Sequence, residues 1–352
     1  MKFEEVYGEM NLQELEEKLQ NITFRLELPF SDLVEEIYGG NSKGMVLLFM
    51  EQAKKEIQMQ WGDVKHIFVT IAIIILVSAI FSAFKDAFQN AQIAEISFYI
   101  NYLLLSVIFI RLFGNILQVG EHSLKNIKEF MSIFFPTFFL VVGSTQGIGT
   151  GLAYYQLAGG VIYLVEWCLL SVLLPSISAY MLFVLMNGVW EEERLTFLLE
   201  LFQKGLKFSL KLLLGILTGA SMIQSMIVPI VDRIKGESVY KVLEAIPGIG
   251  EVAEGAFRVW LGSAVLIKNS IGVAGCFLLV LLCLSPMIKI TLIGGLFKVT
   301  AAVFSVVGDK KMIACTNQVG EGIFLILQTV SYGMLFFIVL IAMTIYTTNG
   351  GI

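Results

Sequence analysis

The sequence predicts an all-α protein, a polytopic transmembrane helical bundle of seven to nine spans with a small helical extramembrane region at the N-terminus. Three observations predict it. Of the 352 residues, 57% are hydrophobic and only 15% charged, whereas soluble domains run at roughly a quarter charged. From His66 onward, apolar runs of about 20 residues recur, the length needed to cross a hydrocarbon core of about 30 Å. The 32 glycines and a mean hydropathy of +0.80 suit helices that approach one another closely in lipid. A net charge of −5 leaves no basic footprint for a nucleic-acid partner.

Residues 1–62 differ in kind from 63–352. Leu12, Leu15, Leu19 and Ile22 recur at helical spacing among acids. Pro29 ends that pattern, and Asp32 with Glu35 forms a capping box for a short helix reaching Tyr38. After Gly39-Gly40, Met45 to Trp61 is amphipathic, with Trp61 suited to a membrane interface. No apolar run before Asp63 is long enough for a signal peptide. Either the first span does the targeting or a longer leader is absent from this start.

The spans follow in order. Ile67–Phe84 is the clearest. Ile96–Leu117 and Phe130–Val142 flank a polar link, Gln118–Glu129, and the second carries Pro136. Gly143, Gly147 and Gly151 then fall four apart, either a close-packing face or a re-entrant turn. Pro175 divides Leu157–Asn187 into one kinked span or two half-length ones. Glu191–Arg194 marks a water-exposed loop, and Leu206–Ile230 carries the GxxxG pair Gly215 and Gly219.

Residues 231–262 read as an amphipathic interfacial segment, broken at Pro247-Gly248-Ile249-Gly250, where Pro and Gly disfavour helix. It feeds an apolar run from Leu261 to Met287. Ile288–Val307, a polar turn at Gly308–Lys311 and a last span at Ile323–Tyr346 complete the chain.

The chemistry is sparse. No phosphate loop, zinc-binding HExxH or nucleophile elbow occurs, and no aspartate lies inside a span. The expectation is a protein that is not an enzyme and uses no cofactor. Four cysteines without CxxC spacing read as buried thiols, and two histidines make no metal site.

Polar residues inside apolar runs are the remaining candidates, because each is costly in lipid. Glu166 reads equally as a functional acid or a packing hydrogen bond. Lys268 and Asn269, ahead of the small Gly272-x-x-Gly275 face, suit a pore lining or a partner contact; the plainer reading is that Lys268 snorkels to a nearby interface. Lys289 and Lys298 bracket the penultimate span, and Lys298 is a further candidate. Pro247, Gly248 and Gly250 are candidates as an elbow with a specific role.

The run Ala245–Gly250, the later Leu266–Gly275 with its Lys268-Asn269, and Val306-Val307-Gly308-Asp309 with Cys315 resemble the stage III sporulation protein AE family, as does the end at Thr347-Thr348-Asn349-Gly350. The resemblance covers roughly Asp32 to the C-terminus. It implies an integral component of a secretion-like channel complex in the mother-cell membrane around the forespore. It also implies the other stage III A sporulation proteins as partners and, through the complex, stage II sporulation protein Q. The alternatives from the residues alone are a stand-alone secondary transporter or permease and a non-conducting assembly scaffold. Lysine distribution places residues 1–62 on the cytoplasmic side; the resemblance implies the opposite side.

Overall fold

The computed structural model describes residues 30–40, 42–88, 91–146, 148–189, 195–216, 218–219, 250–306 and 309–349, and every regular element among them is helical. They are α1 (Phe30–Tyr38), α2 (Ser42–Phe88), α3 (Ala91–Gln146), α4 (Ile148–Glu166), a π-helical segment (Trp167–Leu173), α5 (Leu174–Val189), α6 (196–216), α7 (Gly250–Phe304) and α8 (Lys310–Asn349). Local chemistry sets several ends. Gly40 takes φ 74°, the left-handed conformation that closes a helix, and accepts the chain reversal after α1. Asp309 caps α8, its Oδ1 accepting the backbone N–H of Lys311 at 2.9 Å.

Pro175 is accommodated without dividing its span. A proline ring collides with the carbonyl four residues back and offers no N–H. Here the turns just before it widen to the π form, and the Leu174 N–H reaches the Leu169 carbonyl five residues back. The rod from Ile148 to Val189 therefore continues, and its Ala158–Val189 portion is a single candidate span. Pro136 and Pro286 also lie inside unbroken helices.

Among the described residues, five helices are long and apolar enough to cross a membrane, against the expected seven to nine spans. Two things separate the counts: the expected span Leu206–Ile230 runs into 220–249, outside the described residues, and two pairs of expected runs each share one helix. The runs Ile96–Leu117 and Phe130–Val142 share α3, a helix of 56 residues. The runs on either side of Pro286 share α7, with 55 residues. At 1.5 Å per residue each rod is about 80 Å long.

These rods form the core. α7 runs antiparallel to both α3 and α8: Phe109 meets Phe297 at 5.1 Å between ring centroids, while Phe134 lies against Gly275 near the other end. The α4–α5 rod packs antiparallel to α8, placing Leu169 by Gly333 and Tyr180 by Gly322. Outward-facing apolar side chains clothe two belts, for example Ile100, Val107, Val299 and Val303 on one and Leu140, Leu164 and Val273 on the other. Between them is a polar waist, where Lys54, Lys55 and Glu129 are exposed and Lys125 pairs with Glu121 at 2.7 Å.

The boundary read at 62 and 63 falls inside α2, which crosses it as continuous helix. α1 packs on the bundle too: Leu33 and Val34 are buried, and the Phe30 ring stands edge-on to Phe134 at 6.5 Å. Residues 1–29 and 220–249 lie outside the described residues. So do most of the 231–262 segment and the Pro247-Gly248 pair; Gly250 is the first residue of α7.

Candidate functional site

Small residues on α7 bring its polar pair against two other helices. A Cβ on Gly275 would sit 2.3 Å from Phe134 Cζ, and one on Gly272 would sit 2.5 Å from Ile345 Cδ1 and 3.1 Å from Phe138 Cε2. At Gly275 a side chain would strike the Phe134 ring, whereas at Gly272 the nearest atom is a terminal methyl that could give way. The phenylalanines form a stack along α3, with centroids 5.5 Å apart for Phe130–Phe134 and 5.4 Å for Phe134–Phe138.

One turn before Gly272, Lys268 turns inward. Its exposure is 0%, and among the described residues it is the one charged side chain in the fully buried class. Its Nζ donates to Thr348 Oγ1 at 2.7 Å and to Asn349 Oδ1 at 2.8 Å. Thr348 in turn donates to the Thr344 carbonyl at 2.6 Å. The last carbonyls of a helix lack intrahelical donors and carry partial negative charge. Lys268 thus places an ammonium at the C-terminal end of α8 from a helix 80 positions earlier. This is the reverse of snorkelling: the charge is satisfied inside the protein, so the stem has no reason to reach for water. Neighbouring Asn269 has its Oδ1 buried with no hydrogen-bond partner among the described residues.

Lys298 forms a second junction at the other end of the same helix pair. Its Nζ contacts Glu321 Oε1 and donates to Asn317 Oδ1 at 2.8 Å. The other Glu321 oxygen accepts from Gln203 Nε2 at 2.6 Å, with Lys207 3.9 Å away. α6, α7 and α8 therefore converge on one carboxylate. Glu166, the last residue of α4, pairs with Lys128 of α3 at 2.5 Å, its side chain 19% exposed. That pair ties the two rods immediately before the π-helical segment.

The structure thus keeps Lys268, Asn269, Gly272 and Gly275 together in the first half of α7, and sets Lys298 and Glu166 in separate junctions. Sequence reasoning missed Glu321, Gln203, Asn317, Thr348 and Asn349 as partners. The signal for Glu321 was available, since a lysine inside an apolar run requires a counter-charge. Glu321 lies two residues before the expected last span, Ile323–Tyr346, so a search within spans does not reach it. Among the described residues, nothing lies within 4 Å of where side chains would be on the GxxxG pair Gly215 and Gly219.

A cavity of about 790 Å³ opens at the polar waist between α2, α3 and α7. Polar residues face it at helical spacing from each: Gln52, Glu56 and Gln60 on α2, a stripe from Asn115 to Glu129 on α3, and Ser285 and Lys289 on α7. Ser285 Oγ donates to Glu56 Oε2 at 2.8 Å.

Long apolar helices, packed through glycine and phenylalanine and pinned by buried polar junctions, define the class: an all-helical protein with the features of a membrane protein. Comparison with known proteins gives the particular family. The sequence pattern of the stage III sporulation protein AE family matches residues 28–348, and the chain belongs to that family. It is 18% identical over 340 residues to the stage III sporulation protein AE of Bacillus subtilis (strain 168), covering 92% of this chain and 84% of that protein. No solved structure matches. Family membership carries a role in sporulation.

Proposed function

We propose that this chain is a multi-pass membrane component of a sporulation channel complex that links mother cell and forespore and is required for forespore development. The observation that carries the reading is family membership across nearly the whole chain. Five helices of crossing length and apolar belts facing outward support a place in the cell membrane. In this reading the protein sits in the mother-cell membrane around the forespore. It works by assembly with the other stage III A sporulation proteins and, through them, stage II sporulation protein Q, without catalysis of its own. Seven to nine crossings is the alternative topology to five.

The test is to delete the gene in its spore-forming host, score spore yield, and extract the tagged protein with mild detergent. Loss of spores and recovery of the named partners are expected. Normal spore yield, or extraction of the protein always alone, would overturn the reading. The stand-alone transporter is then favoured if purified protein in vesicles moves a solute unaided.

A further inference from the structure

Three charged side chains line the waist cavity, Glu56 on α2, Lys289 on α7 and the more exposed Glu129 on α3. Neither Glu56 nor Lys289 makes an ion pair among the described residues. Yet they are near neighbours: Glu56 Oε2 accepts from Ser285 Oγ at 2.8 Å, and Lys289 is one helical turn beyond Ser285, about 6 Å along the axis. Opposite charges facing one partly enclosed space gain by meeting, or by meeting something between them. A ligand bearing one charge would satisfy one of them and leave the other unmatched.

The rest of the wall fits a hydrophilic occupant. Carboxamides from Gln52, Gln60 and Asn126 face the cavity, each able to donate and accept. Ser123 is 4% exposed and lines the cavity, with the Cys283 thiol of α7 beside it. Pro286, also in the wall, has no N–H, so the Leu282 carbonyl four residues back loses its helical donor. These are donors and acceptors of both kinds beside Glu56 and Lys289. A volume of about 790 Å³ falls within the usual range for small-molecule sites.

We propose that this cavity binds a small zwitterionic solute with the charge layout of a free amino acid, its carboxylate toward Lys289 and its ammonium toward Glu56. The site gives the chain a recognition function of its own, and it stands whether or not the chain works within a larger assembly.

The experiment uses the purified full chain in detergent or nanodiscs and equilibrium dialysis against glycine, L-alanine and L-glutamine. Acetate and methylamine serve as single-charge halves. Saturable binding of at least one amino acid is expected, with the halves at least tenfold weaker. Glu56→Gln keeps the size and an acceptor for Ser285, and should weaken binding at least tenfold; Lys289→Met should do the same. Lys125→Gln, on the exposed face of α3, should bind as wild type. Gel-filtration profile and thermal midpoint establish that each variant is folded, and Glu56→Gln alone decides if Lys289→Met is not. Absence of binding by all three amino acids, equal binding of the halves, or wild-type binding by folded Glu56→Gln each overturns the proposal.

Discussion

Lys268 and its two acceptors belong to helices far apart in the chain, so the cost of removing one partner depends on whether the other is present. Lys268→Met leaves Thr348 and Asn349 without their donor, and should lower stability in detergent by about 1–2 kcal/mol. Thr348→Val leaves a buried ammonium short of a partner and should cost at least as much. The double variant should cost less than the sum, by about 1 kcal/mol, because both changes remove one interaction. Strict additivity in thermal or denaturant unfolding would show the contact to be energetically idle. Arginine at position 268 should not rescue, since its wider planar head has no room at a site of 0% exposure. The glycines give a second contrast. Gly275→Ala drives a methyl into the Phe134 ring and should destabilise by about 1–3 kcal/mol. Gly295→Ala meets nothing within 4 Å and should be neutral or slightly favourable. Equal effects at the two positions would remove the packing argument.

At the scale of elements, the junction on Glu321 holds three helices with one carboxylate. Glu321→Gln keeps the shape but leaves Lys298 and Lys207 without an anion. With both side chains of the Lys298 pair about 30% exposed, water offsets part of the loss, and about 1–2 kcal/mol is expected. The exchange Lys298→Glu with Glu321→Lys should recover part of it, read as the midpoint of heat-induced unfolding. Which elements form was legible in the sequence, because runs of leucine, isoleucine and phenylalanine flanked by charges leave few alternatives to helix. Where they end was not. Gln118–Glu129 reads as a link because it is polar, yet its Leu, Lys, Glu and Gln are good helix formers and no proline interrupts them. Polarity reports where water is, and helix continuity depends on the backbone. The same limit applies to the junctions. Lys268 stood out as a charge in an apolar run, but Thr348 and Asn349 were visible only as an ending. Nothing in local periodicity joins positions 80 apart.

For the whole molecule, two rods of about 80 Å exceed a hydrocarbon core of about 30 Å, so one bilayer cannot cover both apolar belts. Continuity makes a topological prediction. An unbroken α3 that crosses once has its ends on opposite sides of the membrane; two crossings in its length would return them to the same side. Cysteines placed at Ala91 and at Gln146, in a background lacking the four native cysteines, should react with a membrane-impermeant maleimide from opposite faces of oriented vesicles. Labelling of both from one face would restore the higher crossing number and require α3 to break at the waist.

The two junctions on α7 and α8 have a mechanical consequence. A pair of beams fastened at a single point can slide or swivel about it, but this pair is fastened near both ends, at Lys268 with Thr348 and at Lys298 with Glu321. Thirty residues of α7 separate the fastenings, a span of about 45 Å. Sliding by one helical turn would undo both at once, so the pair should tilt as one stiff lever. A force applied where α8 ends would then arrive, undiminished by slippage, at the carboxylate that anchors α6.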